Sequence, residues 1–463
     1  MSNQPQIGIV PIGSLTPYDK SARIHNWRQR RKLRALLKRF GQVTPIIVDD
    51  NNVIVDGHAV WEELTNLGYT ELQVVVAANH TSAEIRTLRL ALNRVAADAA
   101  WDNDKLRTEF AELIELGIDL DLTGFDTVEI DMTLSIGEPT GDAVEEVAAS
   151  DLTPKAGEVT EDGDVWRAGR HLIACGDARD KDLLLRLTAG RRVAAVFTDP
   201  PYNVRIDGNV SGLGRTQHAE FAMASGEMTR EQFTAFLGET FAALLPLLAD
   251  GAIVFVAMDW RHIEELTAAG NRCGLVLKNL CVWVKTNAGM GTFYRSQHEL
   301  IFVFKHGQGA HQNNFELGQH DRARSNVWRY AGVNAFGKNR MDLLGAHPTV
   351  KPVAMIADAL KDVTRRGDLV LDAFLGSGST LLAAEQTGRT CIGIELEPGY
   401  VAVAIRRWQK LTGKDAVHAV TGEPFDEYTD RIAEKSASPV PQEPDDPGSI
   451  RGQLGAEEEP RHG

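Results

Sequence analysis

The stretch Asp368–Tyr400, "DLVLDAFLGSGSTLLAAEQTGRTCIGIELEPGY", decides the fold. An apolar run, Asp368–Phe374, leads into "GSGST", then a helical pattern, then a second apolar run that ends at Glu395. Strand, glycine-rich turn, helix and strand make the repeating unit of an α/β protein with a mostly parallel sheet. Gly376 and Gly378 allow backbone to approach a ligand where a Cβ would clash. Glu395 lies 19 residues beyond Gly376, where an acid can accept hydrogen bonds from a ribose diol. Leu381 stands in the place of the third glycine of a dinucleotide loop, and no Gly-Lys-Ser/Thr follows, so a Walker loop is excluded. The segment reads as a site for a nucleoside cofactor.

Working outward, strand-like runs alternate with helical ones from about 164 to 415. The runs are "HLIACGD", "VAAVFT", "GAIVFVAM", "LKNLCVWVK", "HELIFVFKH", "DLVLDAF" and "CIGIEL", with helices at Arg230–Leu248 and Gly399–Leu411 among them. The stretch Gly307–Gly345 breaks this pattern and reads as an irregular surface insertion. Residues 1–130 form a separate unit. Leu33, Leu36, Leu37 and Phe40 recur at helical spacing ahead of a Gly41 cap. "TPIIVDDNNVIVDGHAVWEEL" reads as a hairpin running into a helix, and helical patterns follow at Ser82–Ala97 and Asn103–Leu116. Residues 131–163 are acidic, with scattered Gly and Pro, and read as a linker.

A second chemical motif follows the run "VAAVF". "TDPPYNV", Thr198–Val204, ends a strand on an acid, two prolines and a ring. The prolines fix φ and remove amide donors, which stiffens the turn. Asp199 and the carbonyl of Pro200 are acceptors, and Tyr202 is a flat surface. Two acceptors and a ring suit a planar heterocycle bearing an exocyclic amine. Such an amine is a poor nucleophile because its lone pair is delocalised. Acceptors on its protons favour the sp³-like form that attacks, and inside a duplex the base must first be flipped out.

The net charge is −15, which alone disfavours a polyanion as partner. The charge is uneven, however. Lys20–Arg39 holds nine bases and no acid, and Lys285–Lys351 holds nine Lys/Arg against four acids. Residues 416–463 are acidic and proline-rich, as expected of a disordered tail. The four cysteines form no CxxC pair, so no metal is expected. With no visible signal peptide and no long uninterrupted apolar run, a cytoplasmic protein without a membrane partner is expected.

The region 164–415 resembles the amino-methylating DNA methyltransferases that use S-adenosylmethionine, in the β-type motif order. "TDPPYNV" at 198–204, "HPTVKP" at 347–352 and "DAFLGSGST" at 372–380 occur in that order. The resemblance implies a Rossmann-like class I methyltransferase sheet of seven strands, with a target-recognition region at about 285–346. It implies a catalytic set of Asp199, Pro200, Pro201 and Tyr202. Asp177 would contact the cofactor adenine and Glu395 its ribose. Phe374, Gly376 and Gly378 would line the methionine moiety beside Asp372, with Thr349 and Lys351 near its carboxylate. Arg295, Arg322, Arg324 and Arg329 in or beside the recognition region become DNA-contact candidates.

The first 125 residues resemble the α+β ParB-like domains of partition proteins, through "PIGSLTPYDKSARIH", "FGQVTPIIVDD" and "IVDGHAVWEELTNLGY". The arginine that usually follows the Gly-His/Glu pair is missing, since Ala59 and Val60 follow Gly57-His58. The expected activity is N6 methylation of a flipped-out adenine in double-stranded DNA at a specific site. Asp rather than Ser at the head of the motif favours adenine within the family. Cytosine N4 methylation is the near rival, and a partition or regulatory protein with an inactive methyltransferase domain the distant one. A homodimer is a candidate state, and a restriction-modification context fits the family. The sequence names no partner endonuclease.

Overall fold

The computed structural model describes residues 6–135, 152, 154, 160–203, 226–286, 294–315, 324–331 and 350–437. The strands of the N-terminal unit are β1 (Gln6–Pro11), β2 (Ile46–Val48), β3 (Ile54–Asp56) and β4 (Glu71–Val76). Those of the larger unit are β5 (Val165–Ala168), β6 (His171–Cys175), β7 (Val193–Thr198), β8 (Leu248–Met258) and β9 (Val276–Val284). They continue with β10 (His298–Lys305), β11 (Val327–Arg329), β12 (Leu369–Asp372), β13 (Thr390–Glu395) and β14 (Val417–His418).

β7 shows why the larger unit folds as it does. Its residues are buried along almost the whole strand, as in a parallel sheet covered on both faces. Ala195 and Phe197 point into one core with the helices Val353–Val363 and Pro398–Thr412. Val193 and Val196 point into the other, with Lys181–Thr188, Arg230–Leu244 and Ile263–Arg272. The result is a three-layer α/β/α sandwich. The sheet runs β11-β9-β10-β8-β7-β12-β13-β6-β5-β14. The five central strands, β8-β7-β12-β13-β6, are parallel, so their carboxyl ends share one edge. On one side β10 and β9 continue it antiparallel.

All seven strand-like runs are strands, but among the described residues the sheet has ten. β5, β11 and β14 are the additions, all short and lacking a long apolar run. β11 lies inside the stretch expected to be irregular, where Trp328, Tyr330 and Asn314 are also buried. The tail boundary at 416 moves too. β14 joins the sheet edge, and Phe425 and Tyr428 pack edge-on against the buried Trp166. The Tyr428 hydroxyl donates to Asp164 at 2.7 Å. Phe425, Tyr428 and Ile432 hold the helix Phe425–Ala437 against the core. Residues 438–463 of the expected tail lie outside the described residues.

The N-terminal unit has the sheet order β1-β4-β2-β3, with the expected β2–β3 hairpin. Leu37 from helix Trp27–Phe40 and Leu64 from helix His58–Asn66 complete its core. The expected linker start at 131 falls inside a helix, Thr127–Leu134. Asp131 on that helix is buried and takes two hydrogen bonds from Arg389, at 2.9 and 3.1 Å, and one from Arg366 at 3.1 Å. This helix therefore belongs to the body of the larger unit as much as to the N-terminal one. Among the described residues no helix is long and apolar enough to cross a membrane.

Candidate active site

Parallel strands present ligands at their carboxyl ends, and here four acids gather there. Asp177 follows β6, Asp199 follows β7, Asp372 ends β12 and Glu395 ends β13. Because these strands are neighbours in the sheet, Asp199, Asp372 and Glu395 stand on successive strands.

One half of the edge is built around the loop after β12. Gly376 has φ +52° and nothing within 4 Å of where a Cβ would stand. Its N–H donates to Glu395 Oε2 at 2.7 Å, and the Glu397 N–H donates to Oε1 at 2.9 Å. Two backbone donors thus fix the carboxylate beside open space, while burial pushes its pKa up. Ser379 Oγ, at the start of the next helix, is buried without a hydrogen-bond partner among the described residues. Phe374 is half-buried and packs against Phe236, with ring centroids 5.9 Å apart. Open space, an anchored acid, an unsatisfied hydroxyl and a ring fit a nucleoside with a ribose. Gly378 serves a different end. Its φ is +86°, and a Cβ there would lie 2.8 Å from the Cβ of Ala404, so it is glycine for helix packing rather than for ligand approach.

Asp177 is pinned by its neighbour. Arg179 donates to it from its backbone at 2.8 Å and from its guanidinium at 2.7 Å. That guanidinium lies over the Phe236 ring, 5.5 Å from its centroid. The Arg179 hydrogen bonds hold the Asp177 carboxyl below the usual range, against partial burial. Asp372 is buried and accepts from Thr198 Oγ1 at 3.0 Å and from the Phe374 N–H at 3.1 Å. Burial pushes its carboxyl up to about 7.

The other half is a buried charge cluster. The Tyr202 hydroxyl lies 2.7 Å from Asp199 Oδ1 and 3.2 Å from Glu299 Oε2. Lys351 Nζ lies 2.5 Å from Asp199 Oδ2 and 3.1 Å from Glu299 Oε2. Lys285 Nζ closes the cluster on Glu299 Oε1. Lys351, expected near the cofactor carboxylate, is buried against Asp199 and Glu299, where two carboxylates need a countercharge. Burial pushes the Asp199 carboxyl up, against the Lys351 ammonium and with help from the Glu299 charge. Burial works the same way on Glu299, but there the two lysines prevail and hold it at about 2. Pro200 is buried and Pro201 half-buried, so the turn is fixed from below. Asn203, with φ +52°, accepts from the N–H groups of Gly226 and Met228 and donates to the Met228 carbonyl. It ties the two described ends of this region together.

Glu299, Lys285 and Asn203 were not singled out by the sequence. The available signal for Glu299 was an acid at the head of an otherwise apolar strand, "HELIFVF". Thr349 and Arg322 lie outside the described residues. Among the DNA-contact candidates, Arg295 and Arg329 are exposed. Arg324 is not. It pairs with Asp362 at 2.6 Å, donates to the Tyr330 hydroxyl at 2.8 Å and lies over Trp328. Its buried carboxylate partner commits it to the core of the unit. The basic stretch near the N-terminus is similarly divided, for Arg30 and Arg34 both pair with the buried Glu63. His58 Nε2 accepts the Tyr18 N–H at 3.1 Å, and burial lowers its pKa.

An α/β/α sheet that sets an acid-proline-proline-tyrosine turn beside a glycine loop and an anchored acid is the arrangement the resemblance to amino-methylating DNA methyltransferases led one to expect. Residues 193–406 match the family described as DNA methylase, and residues 104–158 the ParB-methyltransferase HTH domain. "Putative methylase YubD" of Escherichia coli (strain K12) is 30% identical over 211 residues, 46% of this chain and 79% of that protein. "Type II methyltransferase M2.MboI" of Moraxella bovis is 27% identical over 228 residues, 47% of this chain and 81% of that protein. The structure of PvuII DNA methyltransferase (cytosine-N4-specific) aligns at 16% identity and a TM-score of 0.40, covering 57% of this chain and 92% of that one. The chain belongs to the DNA methylase family and carries a ParB-like N-terminal part.

Proposed function

We propose that this protein methylates the exocyclic N6 amine of adenine in double-stranded DNA, at a specific site, with S-adenosylmethionine as donor. The observation that carries the reading is the Asp199–Tyr202 turn beyond β7, next to the open loop at Gly376 and the anchored Glu395. When bound, the cofactor supplies a methyl group on a sulfonium. Glu395, Phe374 and Gly376 would hold its nucleoside and methionine parts. Asp199 accepts a hydrogen bond from the base amine and, with the carbonyl of Pro200, favours the pyramidal nitrogen. Tyr202 lends its ring to the flipped base. Lys351 keeps Asp199 ionised, and so able to accept. Most of the rate gain then comes from holding the amine in line at near-attack distance. Asp at position 199 supports adenine over cytosine.

The test is single-molecule sequencing of DNA from cells that express the protein, with Asp199→Ala as control. N6-methyladenine at one short motif, absent in the variant, is the expected result. N4-methylcytosine at such a motif would keep the clamp and overturn the choice of base. No modified base, from a protein that binds the donor, would overturn DNA as substrate.

A further inference from the structure

We infer that Glu299 is a positioning residue of the transfer step, setting both the charge of Asp199 and the direction of the Tyr202 hydroxyl. The inference rests on the methylation reading above.

The geometry is specific. Glu299 lies on β10 opposite Trp283 of β9, outside the motif that contains Asp199. Its Oε2 faces both the Tyr202 hydroxyl and Lys351 Nζ, while Oε1 takes Lys285 Nζ. Its side chain is 11% exposed and that of Lys351 only 3%. An anion so placed costs much desolvation unless paired, and two ammonium groups pair it.

The phenol explains what a second carboxylate does there. Tyr202 has one O–H proton and two carboxylate acceptors within reach, Asp199 Oδ1 at 2.7 Å and Glu299 Oε2 at 3.2 Å. While the proton points to Asp199, it occupies an acceptor site that the base amine needs. Rotation of the hydroxyl toward Glu299 opens that site, and Tyr202 remains hydrogen-bonded. Without Glu299 the phenol has no second acceptor in this cluster. Lys351 would also lose Glu299 as a counterion and press harder on Asp199, drawing charge from the oxygen pair that must accept the amine.

The pH dependence has a definite sign. Among the described residues, the groups that face Asp199 are Lys351, Glu299 and Tyr202, with Asp372 on the neighbouring strand and Lys285 behind Glu299. Asp199 must be ionised to accept the amine, so activity falls as pH drops through its pKa. The Glu299 charge raises that pKa. Neutralising Glu299 therefore moves the acid limb to lower pH, even as the maximal rate falls.

The experiment uses the full chain, tritiated S-adenosylmethionine and genomic DNA free of methylated adenine and cytosine. For Glu299→Gln the expected results are a kcat lower by roughly ten- to a hundredfold, because the neutral amide offers one acceptor oxygen where the carboxylate offers two to Tyr202 and the two lysines. Donor affinity should stay within about twofold, and the acid limb should shift downward. Glu299→Asp, which keeps the charge, should leave the limb where the wild type has it. It also stands in should the Gln variant fail to fold. An unchanged kcat in Glu299→Gln, a fall without a limb shift, or a limb shift in Glu299→Asp overturns the inference. Wild-type protein that binds the donor yet labels no DNA overturns the methylation reading itself, and Glu299's part in it.

Discussion

Lys351 Nζ and Asp199 Oδ2 are 2.5 Å apart although 152 residues separate them in the chain. The lysine comes from the "HPTVKP" motif, whose expected place was beside the cofactor, and the aspartate from the turn after β7. The pairing sets the lysine on the carboxylate proposed to accept the base amine. Lys351→Met should therefore leave donor affinity within about twofold and lower kcat by roughly a hundredfold or more, the effect of losing one strong catalytic contact. The remaining carboxylates, Asp199 and Glu299, would repel each other in a buried site. The Asp199 pKa, already raised by burial, would rise further, and the acid limb would move to higher pH. Isothermal titration with the donor and a pH–rate profile check both parts. A large loss of donor affinity with kcat retained would return Lys351 to the cofactor.

The two glycines of "GSGST" look equivalent in sequence and are not equivalent in space. Both have positive φ, but a Cβ at Gly376 meets nothing within 4 Å and one at Gly378 meets Ala404. Gly376→Ala should cost about 1 to 2 kcal/mol of stability, from backbone strain alone. It should weaken donor binding by placing a methyl in the open space. Gly378→Ala adds overpacking against helix Pro398–Thr412 and should cost at least about 2 kcal/mol more than its neighbour. Denaturant unfolding and donor titration of the two variants give the comparison. Equal stability losses would mean that the Ala404 contact relaxes.

What the sequence made legible follows from the range of the interactions involved. β7 and β12 are buried on both faces, so each reads as a continuous apolar run ending on an acid. The turns after them carry their chemistry in adjacent residues, and Asp199, Tyr202, Gly376 and Glu395 could be named from pattern alone. Glu299 could not, since its partners lie on β7's turn, just past β9 and beyond the recognition region. An acid on an otherwise apolar strand reads locally as a solvent-facing position. Arg324 erred the other way. It lies in a basic stretch that suggests phosphate, while its partner Asp362 is 38 residues on, in a helix. The folded part of the acidic tail was hidden by composition, because Phe425 and Tyr428 are outnumbered by the acids around them.

Asp131 is the sharpest case of such a long-range partner, and it carries the last prediction. It heads the acidic stretch 131–163, whose composition reads as a linker. Its partners Arg366 and Arg389 lie 235 and 258 residues away. Arg389 is fully buried, and Asp131 is its only carboxylate partner among the described contacts. Its other hydrogen bonds go to Thr364 and to the Thr387 carbonyl, which are neutral. Removing the acid leaves a buried guanidinium without countercharge at the head of β13, a strand of the catalytic sheet. Asp131→Ala should thus destabilise by about 3 to 5 kcal/mol, the cost of breaking a buried pair from one side. The loss should appear as unfolding of the methyltransferase unit itself, not as detachment of the N-terminal part. By the same reasoning, deletion of residues 1–100 should leave donor binding intact. Deletion through 134 should abolish it, because helix Thr127–Leu134 is lost with its acid. Hydrogen exchange across β12 and β13 in the Ala variant, with donor titration of the two deletions, would decide. Wild-type protection in those strands would make helix Thr127–Leu134 a mere attachment.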